Sequence, residues 1–167
     1  MKKYTSFIVI AAAIITLAAA CKSKPKTREE QIKEFRSELT QQDTAAMLRI
    51  CDDAMEQLKA KKIDQVLANL YEYDDSTKEM TKLSERMDKR LRRQFKMFPV
   101  LDYKRQYFSF MLEGCNDVKY AVTFATAEQA GTQEAPQTMF MFNPIRVDGE
   151  WKLCVKTTKD EIDEEHL

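Results

Sequence analysis

The sequence predicts an α+β fold in which N-terminal helices pack on a curved antiparallel four-stranded meander, giving a cone-like body. Three observations predict it. Between Lys26 and Phe98 there is neither glycine nor proline, the two residues that most disfavour a helix interior. All three glycines, and Pro99, Pro136 and Pro144, come afterwards. In that second half apolar and polar residues alternate with period two, Val118, Tyr120, Val122 and Phe124 against Lys119, Ala121, Thr123 and Ala125, which is the period of a strand.

Ahead of the helices stands MKKYTSFIVIAAAIITLAAAC. Lys2 and Lys3 precede an apolar run from Phe7 to Ala20, the order of charge and hydrophobicity found in a secretory signal. The run is short of the ~20 residues that span a bilayer. Leu17-Ala18-Ala19-Ala20-Cys21 resembles the bacterial lipobox, with leucine one position further from the cysteine than usual. That resemblance implies removal of residues 1–20 and acylation of Cys21, so the expected partner is a membrane, reached through a lipid anchor. Residues 21–27 then form the lipidated cysteine and a basic tether, 28–158 a single α+β domain, and 159–167 an acidic tail. Lys22 in place of an aspartate, by resemblance to lipoprotein sorting, points to the outer membrane and its periplasmic face.

Composition narrows the partners. Loss of Lys2 and Lys3 with the signal leaves 25 basic against 27 acidic residues, so no nucleic-acid partner is expected. Cys51, Cys115 and Cys154 remain beside Cys21. Cys51 falls in a helical pattern, as a small buried hydrophobe; Cys115 and Cys154 are the expected disulfide pair if two of the three join in an oxidising envelope. Their spacing matches no zinc or redox motif, and neither a metal nor a cofactor is expected.

Taken in order, Ile32, Phe35 and Leu39 mark the first helix. A second spans Asp43 to Lys61, with Met47, Ile50, Cys51, Ala54, Met55 and Leu58 on one stripe and Thr40 or Asp43 as N-cap. Lys61-Lys62 is a bend, and Ile63, Val66, Leu67 and Leu70 form a short helix ending near Tyr73-Asp74-Asp75. From Ser76 or Thr77 a longer helix carries Met80, Leu83, Met87, Leu91, Phe95 and Phe98 until Pro99 closes it. Its Lys89, Arg90, Arg92, Arg93 and Lys96 make a basic side, either a solvated face or a seat for phosphate groups, diluted by Glu79, Glu85 and Asp88.

Strands are expected over 103–112, 118–126, 137–147 and 151–157. Asp148-Gly149 is a two-residue hairpin turn, and Pro144 implies a bulge or an edge. Phe108, Phe110, Leu112, Tyr120, Val122 and Phe124, with Phe140, Phe142, Trp151, Leu153 and Val155, fall on a face that the helices cover. The opposite face carries Tyr107, Met111, Met139 and Met141 beside Lys119, Lys152, Lys156 and Cys154, a surface that suits solvent, a homodimer or a partner protein.

The run LTQQDTAAMLRICDDAMEQLKAKKIDQVLANLY, with a later helix and strands ending in VDGEWKLCVK, resembles the nuclear transport factor 2-like superfamily over Leu39 to Lys156, including its small envelope lipoproteins. The resemblance implies a pocket between helices and sheet, frequent dimers, and catalytic acids and tyrosines in the isomerase-like members. In this chain Asp102 beside Tyr103, and Asp74 and Asp75 beside Tyr73, are the nearest such pairs, and each also reads as the end of an element. No catalytic residue is assigned. The lone histidine, His166, stands in the tail, and the sequence holds no P-loop, GxSxG or HExxH. Phe108, Tyr120, Phe124, Phe142 and Trp151 are the candidate pocket aromatics, with core packing as the alternative. The function expected is a lipid-anchored, non-catalytic binding or assembly module of the cell envelope, taking a small apolar ligand or an envelope protein. The alternatives are a lyase or isomerase acting on a small apolar substrate, or a dimeric spacer.

Overall fold

The structure, a computed structural model, describes residues 25–157 apart from 75 and 113–115. Cys21, Cys115 and His166 therefore lie outside the described residues. The fold is α+β, with helices packed on a bent sheet. Among the described residues the buried apolar ones run from Phe35 to Cys154.

Helix α1 (Arg28–Glu38) opens on a capping box in which Thr27 and Glu30 satisfy each other's backbone N–H. Phe35 is its one buried residue, and Arg36 Nε donates to the Phe110 carbonyl oxygen at 2.6 Å. Both residues suggested for the start of α2 (Gln41–Lys59) take part in its cap. Thr40 is the N-cap and Asp43 the third helical residue, each accepting from the other's backbone. The helix buries Met47, Cys51, Ala54, Met55 and Leu58, the expected stripe. Lys61 takes the left-handed conformation at the bend (φ 62°) before α3 (Ile63–Asn69).

Here the structure departs from the sequence reading. Leu70–Asp74 is a strand, β1, and Met80–Lys82 is β2, paired with it as an antiparallel hairpin. Helix α4 (Glu85–Met97) starts only after Ser84, whose hydroxyl accepts from Met87 N–H. The helical spacing of Met80 and Leu83 is overridden by three local choices. Asp74 Oδ1 accepts from Ser76 N and Oγ and from Thr77 N, which fixes a turn; Lys78 adopts φ 63°; and Ser84 is a good cap. Parallel pairing of β1 with the C-terminal strand β7 (Glu150–Thr157), Leu70 opposite Leu153, then holds the hairpin in the sheet.

The expected four strands are thus part of a larger set. Strands β3 (Asp102–Ser109), β4 (Asp117–Thr123) and β5 (Gln137–Phe142) form an antiparallel sheet in that order, and β2-β1-β7-β6 form the other, β6 being Ile145–Val147. A one-turn helix, α5 (Ala127–Ala130), lies in the loop between β4 and β5. The single strand expected over 137–147 is broken at Asn143-Pro144, because proline cannot donate to the ladder. Asn143 N–H still donates to the Cys154 carbonyl oxygen at 2.8 Å, so the two sheets meet through one bent strand. Asp148 and Gly149 both take positive φ, 50° and 83°, as a two-residue hairpin of the primed kind requires.

The concave side holds the main core. Tyr120, Val122, Phe140, Phe142, Trp151 and Leu153 meet α2, α3 and α4 there, joined by partly buried Phe110 and Val155. On the other side Tyr107, Met139 and Met141 are exposed as expected, 46–49%. Cys154, assigned to that same side, is completely buried instead, because Tyr73 and Ile145 form a small second cluster over it, with Met80 packed against them. Hairpin β1–β2, absent from the sequence reading, supplies that cover.

Candidate functional site

A cleft of about 740 Å³ opens between α1 and the strands β1, β2 and β6. Its apolar wall is Phe35, Tyr73, Met80, Leu112, Ile145 and Val147; Glu34, Glu38, Arg146 and Asp148 give polar edges. The Arg146 guanidinium forms an ion pair with Asp43, Nη2 to Oδ1 3.0 Å, with both side chains mostly buried. Asp43 is held below the usual carboxylate range by its backbone and side-chain bonds to Thr40, with Arg146 adding to them. That pair ties the start of α2 to β6, while α1 is held by the buried Phe35 ring and by Arg36, which donates to the Phe110 carbonyl oxygen and to Met111 Sδ just after β3.

A second constellation lies along the opposite flank of α2. Asp52, Glu56 and Lys59 share one helix face, the i, i+4, i+7 relation. Asp52 accepts from Tyr120 Oη at 2.7 Å and from Arg105 at 2.6 Å; Tyr103 Oη donates to Glu56 at 2.7 Å; Lys59 donates to Asp102 at 3.0 Å. The Tyr103 and Tyr120 rings meet edge to face, 5.7 Å between centroids. Burial first, and the bond to Asp52 second, push the Tyr120 phenol far up. Burial and then Glu56 do the same for Tyr103. Both phenols keep their protons and act as donors.

A carboxylate facing a tyrosine is what isomerase-like chemistry asks for, and it arises at Asp52–Tyr120, not at the pairs read from sequence. Yet each Asp52 oxygen already holds a partner, Oδ1 the phenol and Oδ2 the guanidinium, and neither Asp52 nor Tyr120 lines the 740 Å³ cleft. The arrangement clamps α2 to β3 and β4. Asp102 is spent on Lys59, which holds it below the usual range. Asp74 is spent on its turn, chiefly by Ser76, with the same result. Asp52 was missed because a mid-helix aspartate looks solvated; only its i+4 relation to Glu56 hinted at a polar edge.

Loss of these bonds has a graded expectation. Tyr120→Phe removes one hydrogen bond to a charged acceptor, about 1.5 kcal/mol, whereas Asp52→Ala also strands the Tyr120 hydroxyl and frees Arg105, about 2.5 kcal/mol. Urea unfolding of both variants checks the order, which reverses if the phenol is bonded elsewhere.

The five aromatics suggested for a pocket are dispersed. Tyr120 and Phe142 pack together in the core at 6.2 Å, Phe124 against Phe98 at 5.0 Å, and Trp151 against Phe110 at 5.9 Å. Phe108 is 43% exposed. None lines the 740 Å³ cleft; Trp151 borders a smaller groove of about 280 Å³ beneath α2. Residues that do form the cleft wall, Tyr73, Met80 and Ile145, come from the hairpin and the broken strand that local periodicity hides. Cys51 and Cys154 are free, buried thiols, each pushed up by burial, Cys154 to about 12; the pairing suggested with Cys115 falls outside the described residues. Among the described residues no group of three His, Cys, Asp or Glu side chains is placed to hold a metal, and no helix is long and apolar enough to cross a membrane.

Comparison with known proteins adds a likeness of shape. No family model matches the chain, and no curated protein matches it. Among solved structures it is similar to one from Campylobacter jejuni described as an NTF2-like transpeptidase, with a TM-score of 0.37 and 9% identity over 65% of this chain and 96% of that one. A match at that level defines neither family nor activity.

Proposed function

We propose that the chain is a lipid-anchored, non-catalytic binding module of the cell envelope, at the periplasmic face of the outer membrane, and that the cleft beside α1 receives a small, largely apolar ligand. The cleft carries this reading. A volume of about 740 Å³ falls in the range of ligand sites, ~300–1,000 Å³, and apolar side chains wall it while charged ones stand at its edges. The carboxylate–phenol clamp supports binding over catalysis, because its donors and acceptors satisfy one another. The signal, the short apolar run and Cys21 support the anchor.

The test blocks the cleft. Val147 is partly buried on its wall, so Val147→Trp fills the space without overpacking the core. With the chain beginning at Lys22, a fluorescent naphthalene probe should bind the natural sequence at one site and the variant at least about tenfold more weakly, the loss of roughly 1.4 kcal/mol. Equal binding by both would place the site elsewhere.

A further inference from the structure

The cleft beside α1 has a charge asymmetry that narrows what it can hold. Gln31, Glu34, Phe35 and Glu38, spaced i, i+3, i+4 and i+7, put one face of α1 on the cleft, and both charged residues among them are acids. The remaining wall adds Lys78, Arg146 and Asp148. Most of these charges are already matched. Lys26 takes Glu34, and Asp43 takes Arg146; Lys78 also has a partner. Arg146 Nε lacks a hydrogen bond but is sealed from the surface, out of a ligand's reach. What remains is Glu38 and Asp148, both exposed and, among the described residues, without an ion pair or hydrogen bond. Asp148 acts only at a distance on Lys152, which Glu150 holds at 2.7 Å. Glu38 is also the last residue of α1. The carbonyls left open there carry the negative end of the helix dipole, which a cation relieves and a carboxylate aggravates. The apolar wall includes the Phe35 and Tyr73 rings, and the face of an aromatic ring attracts a cation and repels an anion.

We infer that the ligand of this cleft is an amphiphile whose apolar body carries a single cationic nitrogen, a protonated or quaternary amine, which Glu38 and Asp148 receive. The inference rests on the cleft as the binding site and adds the chemistry of its occupant. A carboxylate or phosphate head would meet two unmatched acids and find the two cations of the lining, Lys78 and Arg146, already partnered. A purely apolar ligand would leave both acids unused. Because both acids stand in solvent, each supplies a screened attraction, enough to choose among ligands of one shape but not to bind alone. The apolar wall supplies the affinity and the acids supply the choice.

Titrating the purified full chain with three probes of one shape tests this: naphthylmethanol, which is neutral, naphthylmethylamine, which is protonated near neutral pH, and naphthoate, an anion. The amine should bind about fivefold more tightly than the alcohol, and naphthoate roughly fivefold more weakly. High salt should narrow both gaps. Glu38→Gln with Asp148→Asn should bring the amine to within about twofold of the alcohol and leave the alcohol unchanged. Glutamine suits a helix as glutamate does, and asparagine tolerates the positive φ of 50° at position 148. Glu128→Gln with Glu134→Gln, the same charge removed from residues that do not line the cleft, should keep the full gap. Alcohol binding that Val147→Trp leaves untouched would overturn the cleft as the site, and this inference with it. Alcohol binding lost in Val147→Trp, beside equal affinity for the three probes or tightest binding of naphthoate, would overturn the cationic ligand alone. A gap that survives the double substitution, or closes equally in the control, would do the same.

Discussion

Replacing Asn143 by Ala is expected to cost the fold about 3 kcal/mol, more than most surface hydrogen-bond losses, because one side chain closes the break in the bent strand. Its Nδ2 donates to Asp117 Oδ1 at 2.7 Å and to the Asn116 carbonyl oxygen at 3.4 Å, and its Oδ1 accepts from Lys156 N–H at 3.2 Å. These reach β4 on one side and β7 on the other. Asn143 is 6% exposed, so water does not readily replace what alanine removes, and a buried polar group left without its partner costs on the order of 1–3 kcal/mol. Asn116 reinforces the join by donating to the Pro144 carbonyl oxygen at 3.1 Å. Urea unfolding measures the loss. Asn69→Ala, which removes only an exposed bond to Gln65 in the same helix, should stay within about 0.5 kcal/mol. Similar losses for the two would mean that the sheet does not depend on this junction.

On the proposed anchor, Cys21→Ala should move the protein from the membrane fraction to a soluble form or an unprocessed precursor. The physical reason is additive burial: each acyl methylene contributes ~0.8 kcal/mol, one chain holds marginally and two or three hold stably. Surface charge alone gives at most a salt-sensitive association, so the variant should leave the membrane when salt is raised while the acylated protein stays. Fractionation in high salt with a fatty-acid label reads both. Full retention of the variant, or no label on the natural sequence, would remove the anchor from the account.

How much of this was legible in the sequence differs by element. Helix α2 was readable because its stripe from Met47 to Leu58 and its cap at Thr40 and Asp43 are local signals, and the turn at Asp148-Gly149 was readable because only a few residues tolerate positive φ. Pro144 announced an interruption. The hairpin β1–β2 was not legible: Leu70 pairs with Leu153, 83 positions away in the sequence, and no local pattern records a parallel partner at that distance. Met80 and Leu83 even continue the helical spacing of Met87 and Leu91, so the period was right for α4 and wrong before Ser84. The same gap hid the candidate site. Without the hairpin, the local pattern puts Tyr73 at the end of a helix, Met80 inside the next one and Cys154 on an open face. Aromatic content drew attention to Tyr120, Phe142 and Trp151, which pack in the core, since composition alone does not separate a lining from a filling.

Native mass spectrometry of the protein extracted from envelopes tests the proposed function most directly, because one spectrum reports the modified N-terminus and any retained ligand. The account predicts a polypeptide starting at Cys21 with fatty chains attached, carrying a small molecule that leaves on unfolding and is absent from Val147→Trp. A chain that starts elsewhere without acyl mass, or that is consistently empty in both forms, would contradict it.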